Sequence, residues 1–232
     1  MCVAAIAWQA HPRFKLVAIG NRDEFHARPT APLEAWADAP ILAGRDLQAG
    51  GTWLGVAQGR FGLVTNLRVP GYPRPELASR GALVSDWLQG QEPSGLADMN
   101  PFNLWLADRD RLRFVCNHPQ VEAVGLAPGI HGLSNGARGD RWFKTMRLES
   151  ALETWLESAG NESELFAALA DPTPQSPDPE DAFSPVFIRN PNYGTRCSTV
   201  VLVDNLGRGE IVERRFDPAG QLAGEERARF EW

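Results

Sequence analysis

Cys2-Val3-Ala4-Ala5-Ile6-Ala7-Trp8, followed after the polar turn Gln9-Ala10-His11-Pro12-Arg13 by Phe14-Lys15-Leu16-Val17-Ala18-Ile19, decides the fold. Two short runs rich in valine, isoleucine and alanine on either side of a turn predict a β-hairpin. That hairpin places residue 2 at the start of a sheet strand. The next stretch, 21–30, carries four charges and no hydrophobic period, which predicts a loop leaving the strand end. Farther on, the apolar runs 52–57 and 61–65 flank Gly59-Arg60, a second hairpin signal. Four more strands are predicted at 103–108, 112–117, 121–127 and 130–134.

Helical spacing appears in three places. Leu83, Val84, Trp87 and Leu88 predict a short amphipathic helix closed by Gly90. Leu148, Leu152, Trp155, Leu156 and Ala159 predict the clearest helix, lying between Asp140 and Ala159. Asn161 is expected to cap another short helix through Leu169. Pro172, Pro174, Pro177, Pro179 and Pro185 then predict a surface linker or lid, because proline supplies no ladder donors. The β-branched run 198–203 predicts a strand buried on both faces, with a hairpin partner at 210–216 across Asn205-Leu206-Gly207. Strands first, helices in the middle and strands last imply an α+β layered fold rather than βαβ winding. A single domain is expected over 1–232.

Composition bounds the function. A chain of 232 residues buries roughly 70–75% of the surface exposed by its unfolded form, enough for a core without metal or disulfide staples. The net charge of -6 argues against a nucleic-acid partner. No apolar run approaches the roughly 18 residues of a membrane helix, and no targeting segment is evident. Cys2, Cys116 and Cys197 are far apart and odd in number, against a disulfide framework or a zinc site and in keeping with a cytoplasmic, reducing location. There is no phosphate-binding loop, dinucleotide fingerprint or zincin motif. Gly132-Leu133-Ser134-Asn135-Gly136 matches the nucleophile elbow of α/β-hydrolases, but all four histidines precede Ser134, whereas that fold needs its histidine afterwards. The motif reads instead as a tight turn needing glycine.

Cys2 carries the chemical interest. Removal of Met1 would leave a thiol and an α-amine on one residue, and the amine, with a reference pKa near 8, is a base for its own thiol. The alternative is an ordinary processed N-terminus. Cys116 and Cys197 read as small buried fillers.

Cys2, Asn21-Arg22-Asp23-Glu24, Gly62-Leu63-Val64-Thr65-Asn66, Gly132-Leu133-Ser134-Asn135 and Tyr193-Gly194-Thr195-Arg196 together resemble the NRDE family, also called the transport and Golgi organisation protein 2 family. The matching blocks run in order from residue 2 to about residue 217. More distantly they resemble N-terminal-nucleophile hydrolases such as choloylglycine hydrolase and penicillin V acylase. The resemblance implies a four-layer αββα sandwich with two mostly antiparallel sheets. It also implies Cys2 as nucleophile, Asp23 orienting the amine, Asn66 as oxyanion donor, and Asn135 and Arg196 completing the polar shell. Here the family of acylases has Gly-Arg-x-x-Asp, whereas this chain has Gly20-Asn21-Arg22-Asp23. Adjacent Arg22 and Asp23 face opposite sides of a strand unless a bulge intervenes. From the residues alone, Asn21 to Glu24 reads equally as a charged loop, Asn66 and Asn135 as turn formers, and Arg196 as a snorkelling strand residue.

Two functions follow from the resemblance. One is a cysteine amidohydrolase acting on a linear, non-peptide carbon–nitrogen bond and needing no cofactor, with an apolar mouth drawn from Trp36, Trp53, Trp87 and Trp142. The other is a non-catalytic carrier of haem, lipid or acyl-CoA, with His118 as the first candidate haem ligand and a turn histidine before Pro119 as its plainer reading.

Overall fold

All six residues of the first strand, β1 (Val3–Trp8), are buried, which requires a layer on each side of it. Val3, Ala5 and Ala7 pack one way, and Ala4, Ile6 and Trp8 the other. The computed structural model describes residues 2–158, 160–178 and 181–232. Met1 and Pro179, and the Ala159 end of the long helix, lie outside the described residues. After β1 come β2 (Phe14–Phe25), β3 (Thr30–Ala35), β4 (Leu42–Asp46), β5 (Leu54–Ala57), β6 (Arg60–Asn66), α1 (Gly81–Leu88), β7 (Phe102–Ala107) and β8 (Leu112–Cys116). The chain continues with β9 (Glu122–Leu126), β10 (Gly129–Leu133), α2 (Phe143–Ser158), α3 (Glu162–Leu169), β11 (Tyr193–Asp204), β12 (Arg208–Phe216) and β13 (Leu222–Glu231).

The strands form two antiparallel sheets, one of six in the order β10-β1-β2-β11-β12-β13 and one of seven in the order β3-β4-β5-β6-β7-β8-β9. Between them lies the largest apolar cluster, built from Ile6, Trp8, Phe61, Trp105, Phe114, Val201 and their neighbours. On the outer face of the six-stranded sheet, Leu148, Leu152, Trp155 of α2 and Leu165, Phe166 of α3 pack on Val3, Val17, Ile19 and Val200. On the outer face of the seven-stranded sheet, Leu83, Val84, Trp87 and Leu88 of α1 pack on Phe102, Leu104 and Val115. The result is the four-layer α/β/β/α sandwich. No helix among the described residues is long and apolar enough to cross a membrane.

Three local expectations need correction. The stretch 21–30 is not all loop: β2 runs on to Phe25, and Asn21, Arg22 and Asp23 are buried in it because each polar side chain has partners. Asn21 Nδ2 donates to the carbonyls of Leu169 and Val186, both at 2.8 Å, and its Oδ1 accepts from Ser198 at 2.6 Å. Asn161 occupies the N-cap of α3 without capping it, since its Oδ1 accepts from the Ser163 hydroxyl and its amide donates to Glu164. Gly132 and Gly136 are not in a left-handed turn. Gly132 is needed because α2 crosses so close that a Cβ would overlap the Thr145 methyl and the Glu149 carboxylate.

Candidate functional site

Strand order brings the quoted residues together. β1 and β2 are antiparallel with Val3 opposite Asn21, so the chain running back from Val3 to Cys2 travels beside β2 running on to Arg22 and Asp23. Cys2 is held from the other side by Ser134, whose hydroxyl donates to the Cys2 carbonyl at 2.8 Å. A cavity of about 100 Å³ opens there between the ends of the two sheets. Cys2, Arg22, Asp23, Asn66, Arg80, Cys197 and Glu213 are among its walls.

Arg22 and Asp23 do alternate as strand geometry demands. The Arg22 guanidinium turns between the sheets to Thr30 Oγ1 at 3.1 Å and Asp46 Oδ2 at 3.4 Å. Asp23 turns toward the helical layer, where its Oδ1 accepts from Thr195 at 2.7 Å and its Oδ2 lies 3.7 Å from Lys144 Nζ. A bulge is present, but in β11, where Arg196 is the extra residue between Thr195, paired with Asp23, and Cys197, paired with Arg22. The Arg196 guanidinium therefore points to the β2–β3 connection and donates to the carbonyls of Phe25, His26 and Arg28 at 2.9–3.1 Å. Among the expected site residues, Cys2, Asp23 and Asn66 line the cavity, Asn135 lines the adjoining one, and Arg196 lines neither.

Asn66 and Asn135 meet across the sandwich. Asn135 Nδ2 donates to the Asn66 carbonyl at 2.7 Å, and the Arg68 N–H donates to the Asn135 carbonyl at 2.7 Å. Thr65 and Asn103 side chains add bonds to the Ser134 carbonyl. This polar clasp ties the end of β10 to the ends of β6 and β7.

Burial dominates the electrostatics. It pushes the Cys2 thiol up, with the negative charge of Asp23 adding, while the Asp23 backbone N–H and the Arg22 charge favour the thiolate. It also raises Asp23, opposed by the charge of Lys144 and the Thr195 hydroxyl, and lowers Lys144, opposed by Asp23. Cys197, as expected, is a buried thiol, and burial, joined by the charge of Glu213, holds it well above the ordinary thiol value.

Beside this small polar cavity is a larger, mostly apolar one of about 360 Å³. Phe25, Leu67, Tyr72, Pro73, Phe183 and Tyr193 form its walls, and Asn66 and Arg80 line both cavities. Phe183, from the proline-rich segment, packs edge-on against Tyr193. Of the four tryptophans expected at a mouth, Trp53 lines the Cys2 cavity and Trp142 a third cavity nearby. Trp36 and Trp87 are instead buried in the core under α1, where their indole N–H groups are bound to the carbonyls of Ala43 and Phe61.

Lys144, Arg80 and Glu213 belong to this site and were not among the residues singled out from sequence. For Lys144 a signal existed: it lies four residues before Leu148 on the apolar stripe of α2, where a lysine is out of place unless paired.

The fold is that of the N-terminal-nucleophile hydrolases. A solved structure of the same architecture, the Caenorhabditis elegans N-acylethanolamine-hydrolyzing acid amidase ortholog, superposes with a TM-score of 0.52 at 13% identity, covering 87% of this chain and 92% of that one. The family model described as Transport and Golgi organisation 2 matches residues 1–218, and the chain belongs to this family. The Transport and Golgi organization protein 2 homolog of Bos taurus is 31% identical over 92% of each chain. The Drosophila melanogaster Transport and Golgi organization protein 2 is 25% identical over 95% of each.

Proposed function

We propose that the chain is an amidohydrolase that cleaves a linear, non-peptide amide with Cys2 as N-terminal nucleophile. The observation that carries this reading is one cavity walled by Cys2, Asp23 and Asn66, with an apolar cavity opening beside it. Once Met1 is removed, the α-nitrogen of Cys2 would lie next along the chain toward Asp23, given the register of β1 on β2. The amine takes the thiol proton, and sulfur attacks the amide carbonyl. The Asn66 amide donates to the developing oxyanion. The amine then returns the proton to the leaving nitrogen, and water releases the acyl group from sulfur. Asp23 holds the amine in place through its charge.

The experiment is paired. Intact mass of the purified protein is expected to be lower than that of the full sequence by one methionine residue. Cys2→Ala is expected to lower turnover of a panel of N-acyl amines by about a thousandfold or more. Unchanged turnover in Cys2→Ala overturns the proposal.

The apolar cavity also favours a second reading, carriage of an apolar ligand such as a lipid or acyl chain. For haem, the lining offers Tyr72 and Tyr193 as ligands of the right type, while His118 stands outside it, edge-on to Tyr72 at 6.3 Å between ring centroids.

A further inference from the structure

Four arginines wall the Cys2 cavity. Arg22 and Arg28 share Asp46, at 3.4 and 2.6 Å, and Arg45 holds Asp38 at 2.9 Å. Arg80 differs. Among the described residues no carboxylate lies within 4.0 Å of it, and its Nη1 donates only to the Pro101 carbonyl at 3.3 Å. It is also placed unlike the others, at the N-cap of α1, on the wall common to the nucleophile cavity and the apolar cavity. Burial holds its pKa below the ordinary arginine value, though it stays charged at neutral pH. A half-buried guanidinium with four N–H groups to spare favours a planar carboxylate, which it can hold by two parallel bonds.

We propose that the site takes N-acyl amino acids, with the acyl group in the apolar cavity and the substrate carboxylate on Arg80. Because Arg80 also walls the Cys2 cavity, an anion bound to it lies beside the reacting carbonyl, where the carboxylate of an amino acid sits relative to its amide. The small polar cavity then receives a short amine fragment, and the aromatic walls of Phe25, Tyr72, Phe183 and Tyr193 receive a flat or branched acyl group. Hydrolysis breaks the C–N bond, with water supplying hydroxyl to the acyl carbon and hydrogen to nitrogen. The products are a carboxylic acid and a free amino acid. The cleavage rests on the hydrolase reading; the recognition of the anion does not.

The test separates the two. Cys2→Ala protein, which cannot turn substrate over, is titrated by calorimetry with N-phenylacetylglycine and with its neutral counterparts N-phenylacetylglycinamide and N-phenylacetylethanolamine. The acid is expected to bind at least tenfold more tightly, with the difference shrinking as salt is added. In Cys2→Ala/Arg80→Gln the three ligands are expected to bind within about twofold of one another, and Arg80→Lys is expected to keep part of the preference. Equal binding of acid and amides, no binding of any of them, or a preference that survives Arg80→Gln overturns the proposal. The comparison of ligands on the intact Arg80 side chain decides the matter even where Arg80→Gln fails to fold. If the acid is preferred but wild-type protein does not cleave it, the hydrolase reading fails and the anion site stands.

Discussion

Lys144 and Asp23 meet with side chains only 1% and 0% exposed, and each has its charge opposed by the interior that surrounds it. Removing two ions from water costs more than their attraction returns unless each is held by further bonds. Here Thr195 supplies one to Asp23. The pair is thus a costly feature placed next to the thiol, not a convenient source of stability. Lys144→Met takes a buried cation from beside the Asp23 carboxyl and is expected to destabilise the fold by about 3–5 kcal/mol in urea denaturation. Asp23→Asn/Lys144→Met removes both charges of the pair and should recover part of that loss, because no carboxylate is left facing the place where its lysine was. Equal losses in the single and double variants would show that packing of the lysine stem, and not charge, is what matters. The cation beside Asp23 is Lys144, whereas Arg196, expected in the polar shell, points elsewhere. Sequence order places Arg196 next to Thr195, but the bulge in β11 turns its guanidinium to the carbonyls of the β2–β3 connection. A bulge has no reliable signature in a single sequence.

Among the elements, the legible ones are those whose burial is apolar. β1, β7, β8, β11 and the stripe of α2 are apolar at the right period, and the expectations for them agree with the fold. The second half of β2 was unreadable because its buried residues are Asn21, Arg22 and Asp23, which a pattern of hydrophobicity counts as exposed. β3 was hidden by Pro32 and by the irregular pairing between Ala31 and Glu34, both tolerated because β3 is an edge strand. β13 was hidden by its charges. Glu225, Glu226 and Arg227 pair with Arg214, Arg215 and Glu210, which shields an edge while Ala228 and Phe230 pack inward. The Gly132 motif shows the same limit, since the residue type was readable but its cause was not. Gly132→Ala should push α2 away from β10 and cost about 1–3 kcal/mol. Gly125→Ala, in a strand position where a Cβ meets nothing within 4 Å, should stay within about 0.5 kcal/mol of wild type. Equilibrium unfolding of the two variants checks the contrast, and equal effects would mean that α2 makes room for the added methyl without cost.

At the scale of the whole molecule, the sandwich closes over a carboxyl group. Glu213 of β12 is 4% exposed and lies between the sheets, where its Oε1 accepts the Leu33 N–H of the opposite sheet at 2.9 Å. Burial raises its pKa above the ordinary 4.5, and the nearby charge of Glu226 adds to this, against the Leu33 N–H, the Cys197 thiol and Arg215. The folded state therefore binds this proton more tightly than the unfolded chain does. Stability from this group is fully present below the unfolded value and is lost as pH rises through the folded one. As pH rises above the ordinary carboxyl value the protein should accordingly lose stability on its Glu213 account as the two sheets come to enclose a charge. Asp23, also raised, contributes in the same direction but is common to both proteins in the comparison that isolates Glu213. Glu213→Gln keeps an acceptor for Leu33 and cannot ionise. Its thermal midpoint should fall less than that of wild type as pH rises, and should exceed the wild-type value at the alkaline end. Parallel pH profiles for the two proteins would mean that Glu213 carries the same charge folded as unfolded, and that the sandwich interior beside Cys2 is wetter than its burial implies.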